Sequence, residues 1–348
     1  MTLFARGAAD GIRSRVVPAS ALAGAVHAVP VLRRRRDWEV LVSERHFDRY
    51  VAARLEPVPL FHGAGGQCLR SLAVARSLGS RTVLDVGTLH VDAFAEAGRR
   101  ECARFGARFP LHPRLVARMH REYERADLIR VASERARATF LGAGVPSDRV
   151  VAINPPLDLV EFPEARFTHE GFRVSFVGAL EPWKGFHYLL EAFRGLARKD
   201  AELVLWGGPT SRPVSRYLAG RLALDPRVSV RPVDVRKYGY GEVYGKSDVL
   251  VHPSLADGYA LVVAEAMACG IPVIVTDRTG AADLVRDGEN GYVVAAGDPV
   301  AIRERLDHLA RHPELVKQMG AAARESMQAH SPQLFRSQYV AALRSLLG

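Results

Sequence analysis

The chain has 348 residues with 48% apolar and 25% charged content, the balance of a soluble globular protein with room for two domains. Its three cysteines, Cys68, Cys102 and Cys269, fit no disulfide or zinc framework and suit a reducing, cytoplasmic setting. The net charge is +10, and the first 165 residues hold 25 basic against 18 acidic residues, a surplus suited to phosphorylated substrates or anionic surfaces.

No secretory leader is evident at the start. The longest apolar run, 21–32, contains His27 and Pro30 and is too short to span a bilayer. Four arginines at 33–36 read as a solvated approach to a strand over 38–42. Strands follow over 58–61, 82–85, 128–132 and 150–153, with helices over 67–77, 113–126 and 134–141 between them. Prolines at 155, 156 and 163 break the pattern over 154–169, which reads as a hinge.

The second half alternates more cleanly. Apolar, β-rich runs lie over 172–177, 203–206, 228–230, 249–252, 273–275 and 292–294. Helical patterns lie between them over 188–196, 214–224, 260–268 and 281–285, and one or two long helices cover 300–327. Strands apolar on both faces imply a parallel sheet between helical layers. The fold class is therefore α/β, with two doubly wound domains at 1–165 and 166–330. A final helix over 332–347 forms the last segment, 331–348.

Ligands of open α/β sheets sit beyond the carboxyl ends of the strands. Gly178 ends the first strand of the second half, and the loop after it carries Lys184, one of only five lysines. A compact ammonium there suits a diphosphate; the alternative is a lysine on a surface loop. Gly207 follows the next strand. The loop after 249–252 carries Asp257 and Gly258, and a helix then starts near Ala260 and stops before Gly270. Free N–H groups at Tyr259, Ala260 and Leu261 suit phosphate oxygens. Glu265 lies more than a turn inside that helix, among Val262, Val263, Ala264, Ala266 and Met267, and needs a partner there. It can accept two hydroxyls, as from a ribose, and Asp257 can do the same for a sugar ring. The alternative makes Asp257 a helix cap and leaves Glu265 in solvent.

VGALEPWKG (177–185) followed by DGYALVVAEAMACGIPVIVT (257–276) resembles the retaining glycosyltransferases of family 4, which have the GT-B fold. AELVLWGGP, the helix over 242–247 and TGAADLVRDGENGYVV are similar to the same family. The family pattern is EGFGL and a second glutamate after seven intervening residues; here Asp257, Tyr259 and Ala260 replace glutamate, phenylalanine and glycine. Ala179 stands where the family usually has a phosphate-binding arginine. In the first half, DVGTLH (85–90) resembles the loop whose histidine, His90 here, faces the donor sugar; a structural histidine is the alternative. HGAGG (62–66) lacks the dinucleotide fingerprint, and its Gly63, Gly65 and Gly66 suit close approach of acceptor or donor.

The resemblance implies transfer of a sugar from a UDP- or GDP-type nucleoside diphosphate sugar to a glycan or lipid-linked acceptor, with retention of configuration, and a last segment, 331–348, whose helix crosses back to the first domain. Catalytic roles fall on Asp257, Glu265, Lys184 and His90. Donor contacts fall on Gly178, Lys184, Gly207, Gly258, Tyr259, Ala260, Leu261 and Glu265. No cofactor and no metal is required, since Lys184 and helix dipoles can neutralise a diphosphate, and no nucleic-acid partner is expected. Ala179, Asp257 and Ala260 also leave room for a non-catalytic nucleotide-sugar binder, or for a GT-B enzyme of other chemistry such as an epimerase. Arg114, Arg118, Arg121 and Arg125 recur at helical spacing beside Leu111, Leu115, Val116 and Met119. That pattern suits either peripheral contact with an anionic membrane or a solvated helix face.

Overall fold

The computed structural model describes residues 3–5, 14–16, 36–165 and 171–348. The apolar run over 21–32 and the arginines at 33–35 lie outside them, as does part of the 154–169 hinge. Strands β1 (Leu3–Ala5) and β2 (Ser14–Val16) pair with each other in parallel. The first domain is built on β3 (Leu60–Ala64), β4 (Arg81–Val86), β5 (Leu128–Val131) and β6 (Val150–Ala152), parallel and side by side in chain order. Every residue of β5 is buried, as a strand covered on both faces requires.

The second domain holds β7 (Phe172–Val177), β8 (Ala201–Trp206), β9 (Val228–Arg231), β10 (Val249–His252), β11 (Val273–Thr276) and β12 (Gly291–Val294). Their order is β12-β11-β10-β7-β8-β9, all parallel. The chain winds from β7 out to β9, then returns to the other side of β7 with β10. The loops leaving β7 and β10 therefore diverge from neighbouring strands and open a crevice between them. Apolar cores fill both faces of this sheet, one around Phe176, Phe186 and Leu203 and one around Tyr244, Val263 and Met267.

Two sequence expectations change, and one helix was not foreseen. The strand over 38–42 is instead part of the helix Arg36–Ala52. Its buried residues are Asp37, Leu41, Glu44, Asp48 and Val51, a helical spacing in which three of five are acids and so invisible to an apolar pattern. The helix Val91–Arg104 was not foreseen; it buries Val91, Ala95, Gly98, Glu101 and Cys102, again small or polar positions. The stretch over 281–285 is a 3-10 turn, Gly280–Leu284. Of the one or two helices expected over 300–327 the structure has two, Pro299–Arg311 and Pro313–Ser326, split where Pro313 opens the second.

The last helix, Pro332–Leu347, does lie against the first domain. Tyr339 Oη is 3.2 Å from His62 Nε2, and the Arg130 guanidinium sits 5.6 Å from the Phe335 ring centre. The helix Pro113–Arg125 does not present its four arginines together to solvent. Arg118 is only 6% exposed, donating to Asp48 at 2.6 Å and to Glu122 at 3.1 Å, and Arg125 donates to the Leu69 carbonyl.

Candidate active site

The loops after β7 and β10 are joined to each other before any ligand is considered. Leu255 N donates to the Trp183 carbonyl at 2.8 Å, and Ser254 Oγ to the same oxygen at 3.1 Å. Gly185 has φ 72°, and a Cβ there would lie 1.9 Å from the Pro253 carbonyl oxygen. Only glycine lets the turn after Lys184 pass this close to the end of β10. The result is an ion pair between Lys184 Nζ and Asp257 Oδ2.

Asp257 is the centre of this arrangement. Its Oδ2 also meets His252 Nε2 at 3.1 Å, while its Oδ1 accepts from the backbone of Ala260 at 3.0 Å and of Tyr259 at 3.3 Å. Two of the three N–H groups expected to be open to phosphate are therefore taken by the Asp257 carboxylate, just ahead of the helix Leu261–Ala268. Asp257 thus holds the loop ahead of the helix and pairs with Lys184, while the N-cap position itself is Ala260, without a side-chain cap. Burial opposes ionisation of Asp257, but Lys184 and His252 outweigh it and hold the carboxyl far below its ordinary range. Burial likewise lowers the His252 imidazole, against the pull of Asp257. His252 Nδ1 has no hydrogen-bond partner among the described residues.

Ala260 has φ 61° and ψ 70°, the one positive φ outside glycine among the described residues. Left-handed backbone at an alanine costs about 1–2 kcal/mol, and here it turns the chain from the Asp257 loop into the helix. Glu265, on that helix, has its partner: the buried Tyr244 hydroxyl donates to Oε2. Burial raises the Glu265 carboxyl, against this hydrogen bond. Gly178 and Gly207 meet at the ends of β7 and β8, where a Cβ on Gly207 would strike the Gly178 carbonyl oxygen.

The first domain closes on this site. A Cβ on Gly258 would lie 2.3 Å from the Gly87 carbonyl oxygen and 2.6 Å from Thr88 Cα. Ser133 Oγ donates to the Gly258 carbonyl at 2.6 Å, and Asp283 accepts from Glu134 N at 2.6 Å. Trp183 packs edge-on against Phe109 at 5.1 Å.

His90 makes no hydrogen bond or ion pair with Lys184 or Asp257. Its buried ring packs on Tyr123, Phe140 and His120, and its Nδ1 accepts from Asp92 N at 3.4 Å. Burial lowers its pKa. His90, Asp92 and His120 bring ligand-type atoms within 4.8 Å of one another, the group among the described residues with the make-up to hold a metal ion. Gly63 and Gly65 serve the domain's own packing: a Cβ on Gly63 would meet Cys68 Sγ at 2.6 Å, and one on Gly65 would meet Val86 Cγ2 at 3.3 Å. Gly66 N donates to Glu122.

Sequence reasoning missed His252, Tyr244 and Ser133. Tyr244 lay in a recognised helix, and the need of Glu265 for a partner was its only signal. Ser133 starts the helix Glu134–Gly142 as an N-cap, which gives no hint of its reach to Gly258.

Residues 161–326 match the family described as glycosyl transferases group 1. The chain carries a group 1 glycosyltransferase domain. That domain contains Lys184, Asp257, Ala260 and Glu265, and the family 4 resemblance read from the sequence holds. The D-inositol 3-phosphate glycosyltransferase of Frankia alni is 30% identical over 212 residues, 55% of this chain and 52% of that protein. The chain spans about half the length of the curated relatives it matches, or less. Among solved structures, sucrose-phosphate synthase from Thermosynechococcus elongatus aligns with a TM-score of 0.74 at 21% identity, covering 98% of this chain and 84% of that one. HepE from Anabaena, in complex with UDP-glucose, aligns at 0.70 and 17% identity, covering 96% and 86%. The two domains thus have the GT-B arrangement. Among the described residues, no helix is long and apolar enough to cross a membrane.

Proposed function

We propose that the chain transfers a hexosyl group from a UDP- or GDP-type sugar to a glycan or lipid-linked acceptor, with retention of configuration. The carrying observation is the Lys184–Asp257 pair at the reversal of strand order. On this reading the donor diphosphate draws Lys184 away from Asp257, and the ammonium stabilises charge on the leaving group. Asp257, held in place by His252 and by the N–H groups of Tyr259 and Ala260, accepts hydroxyls of the transferred sugar. Glu265, with one oxygen fixed by Tyr244, accepts ribose hydroxyls. Gly178, Gly207 and Gly258 leave the backbone close to the donor, beside Tyr259, Ala260 and Leu261. His90 supports the loop in which Thr88 abuts Gly258. The chemistry needs no cofactor or metal, since the lysine and the helix dipole carry the positive charge. The basic first domain faces the acceptor, in the cytoplasm and at the inner membrane surface when the acceptor is lipid-linked.

Support for the donor class comes from the family match and from the likeness to a structure solved with UDP-glucose. A thermal-shift screen of UDP- and GDP-sugars tests it, because binding stabilises the fold by mass action. One such sugar is expected to raise Tm and to release its nucleoside diphosphate when acceptor is added; no shift with any of them would contradict the reading. Ala179, in the position of a phosphate-binding arginine, favours a second reading, a nucleotide-sugar binder without transferase activity. A Tm shift with no release of nucleoside diphosphate would select it, and a change in the sugar itself would select an epimerase.

A further inference from the structure

On the first domain, away from the Lys184–Asp257 crevice, three helices enclose a cavity of about 480 Å³. Arg36–Ala52 contributes Arg45 and Arg49, one turn apart. Pro113–Arg125 contributes Arg114, Arg118 and Arg121, which share one face, and Leu69–Ser77 contributes Arg70 from its first turn. Arg118 is the floor, buried and neutralised by Asp48 and Glu122. The other five are exposed. Among the described residues none of these five has a carboxylate within ion-pair distance. Leu41 and Leu69 add apolar wall.

Five like charges around one concavity repel one another, and an anion relieves that repulsion. Guanidinium forks match phosphate oxygens in pairs, and converging arginines exploit that match where scattered ones do not. The floor is also tied to the loop that follows β3. Glu122, which holds Arg118, accepts from Gly66 N at 2.5 Å and from Cys68 N at 3.0 Å, so Arg118 is fixed in place from both sides, by Asp48 and by this loop.

We propose that this cavity is a discrete phosphate-binding site. Its ligand is a phosphate group, carried either by a soluble phosphate compound or by a phospholipid headgroup, with Leu41 and Leu69 against the group that bears it. That the phosphate belongs to the acceptor rests on the proposed function; binding itself does not.

The test uses the intact chain and two probes: inorganic phosphate followed by calorimetry, and co-sedimentation with phosphatidylcholine vesicles containing or lacking phosphatidic acid. Two double variants are compared. Arg45→Gln with Arg121→Gln empties the cavity wall and leaves Arg118 in place. Arg216→Gln with Arg221→Gln removes the same charge from the helix Arg212–Leu222 of the second domain. Saturable phosphate binding, weakened about tenfold or more in the first variant and not the second, supports the site with a soluble ligand. Binding to phosphatidic acid vesicles alone, with the same dependence on the variants, supports it with a lipid headgroup. No binding of either probe, or equal loss in both variants, overturns it. The nucleotide-sugar thermal shift is expected to be unchanged in the first variant, so failure here leaves the donor reading standing.

Discussion

Lys184 and Asp257 are 73 residues apart in the chain, and their side chains form an ion pair across the two loops that diverge from β7 and β10. Lys184→Ala removes the point charge placed for the diphosphate. Loss of one charge-assisted contact of about 1.5–3 kcal/mol corresponds to a drop of roughly tenfold to a hundredfold in kcat/KM for the donor. Circular dichroism is expected to match wild type. Turnover equal to wild type at low donor concentration would remove Lys184 from the site.

Glu265→Gln keeps the shape of the side chain and its bond to Tyr244 but loses the charge. Donor affinity is expected to fall by about 1.5–3 kcal/mol. Nucleosides provide the discriminating measurement: the loss should appear with the ribonucleotide and shrink with its 2′-deoxy form, which lacks one hydroxyl for Glu265. Equal losses for both would place Glu265 away from the ribose.

Ala260→Gly relieves the left-handed strain. It is expected to stabilise the protein by about 0.5–1 kcal/mol, the strain relief less the added freedom of the unfolded chain. A urea midpoint that stays level or falls would mean the strained turn is supported elsewhere.

Glu101 joins the domains from the helix Val91–Arg104: its Oε2 accepts from Tyr188 Oη at 3.2 Å and lies 3.4 Å from His187 Nε2. Burial opposes its ionisation, but His187, Arg100 and Arg104 outweigh that and lower its pKa to about 2. The folded value lies below the unfolded one, so the stabilisation is fully present above the ordinary glutamate range and is lost as pH falls toward about 2. Glu101→Gln should flatten that acid limb of the stability profile, and Glu101→Ala should cost about 1–2 kcal/mol at neutral pH. An acid limb identical in Glu101→Gln and wild type would assign the pH dependence to other carboxylates.

Much of the second domain was legible because its strands are apolar throughout and its loops end in residues with chemistry to offer. Lys184, Asp257 and Glu265 stood out on composition and spacing alone. The pairing of Lys184 with Asp257 was not legible, because it depends on Gly185 packing onto Pro253, a contact between segments far apart in sequence. The first domain was harder to read for a related reason. Asp37, Glu44, Asp48, Glu101, Arg118 and Glu122 are all buried, and buried charge hides a helical period that apolar residues would reveal. The face holding Arg114, Arg118, Arg121 and Arg125 was visible in the sequence, but its direction was not: it turns partly inward to Asp48 and Leu69.

The measurement that tests the account most directly is a crystal structure of the chain with the nucleoside diphosphate sugar that raises its Tm most. The account predicts diphosphate oxygens within hydrogen-bond distance of Lys184 Nζ, ribose hydroxyls on Glu265 and the sugar ring against Asp257. A diphosphate bound elsewhere, with the Lys184–Asp257 ion pair intact, would contradict it.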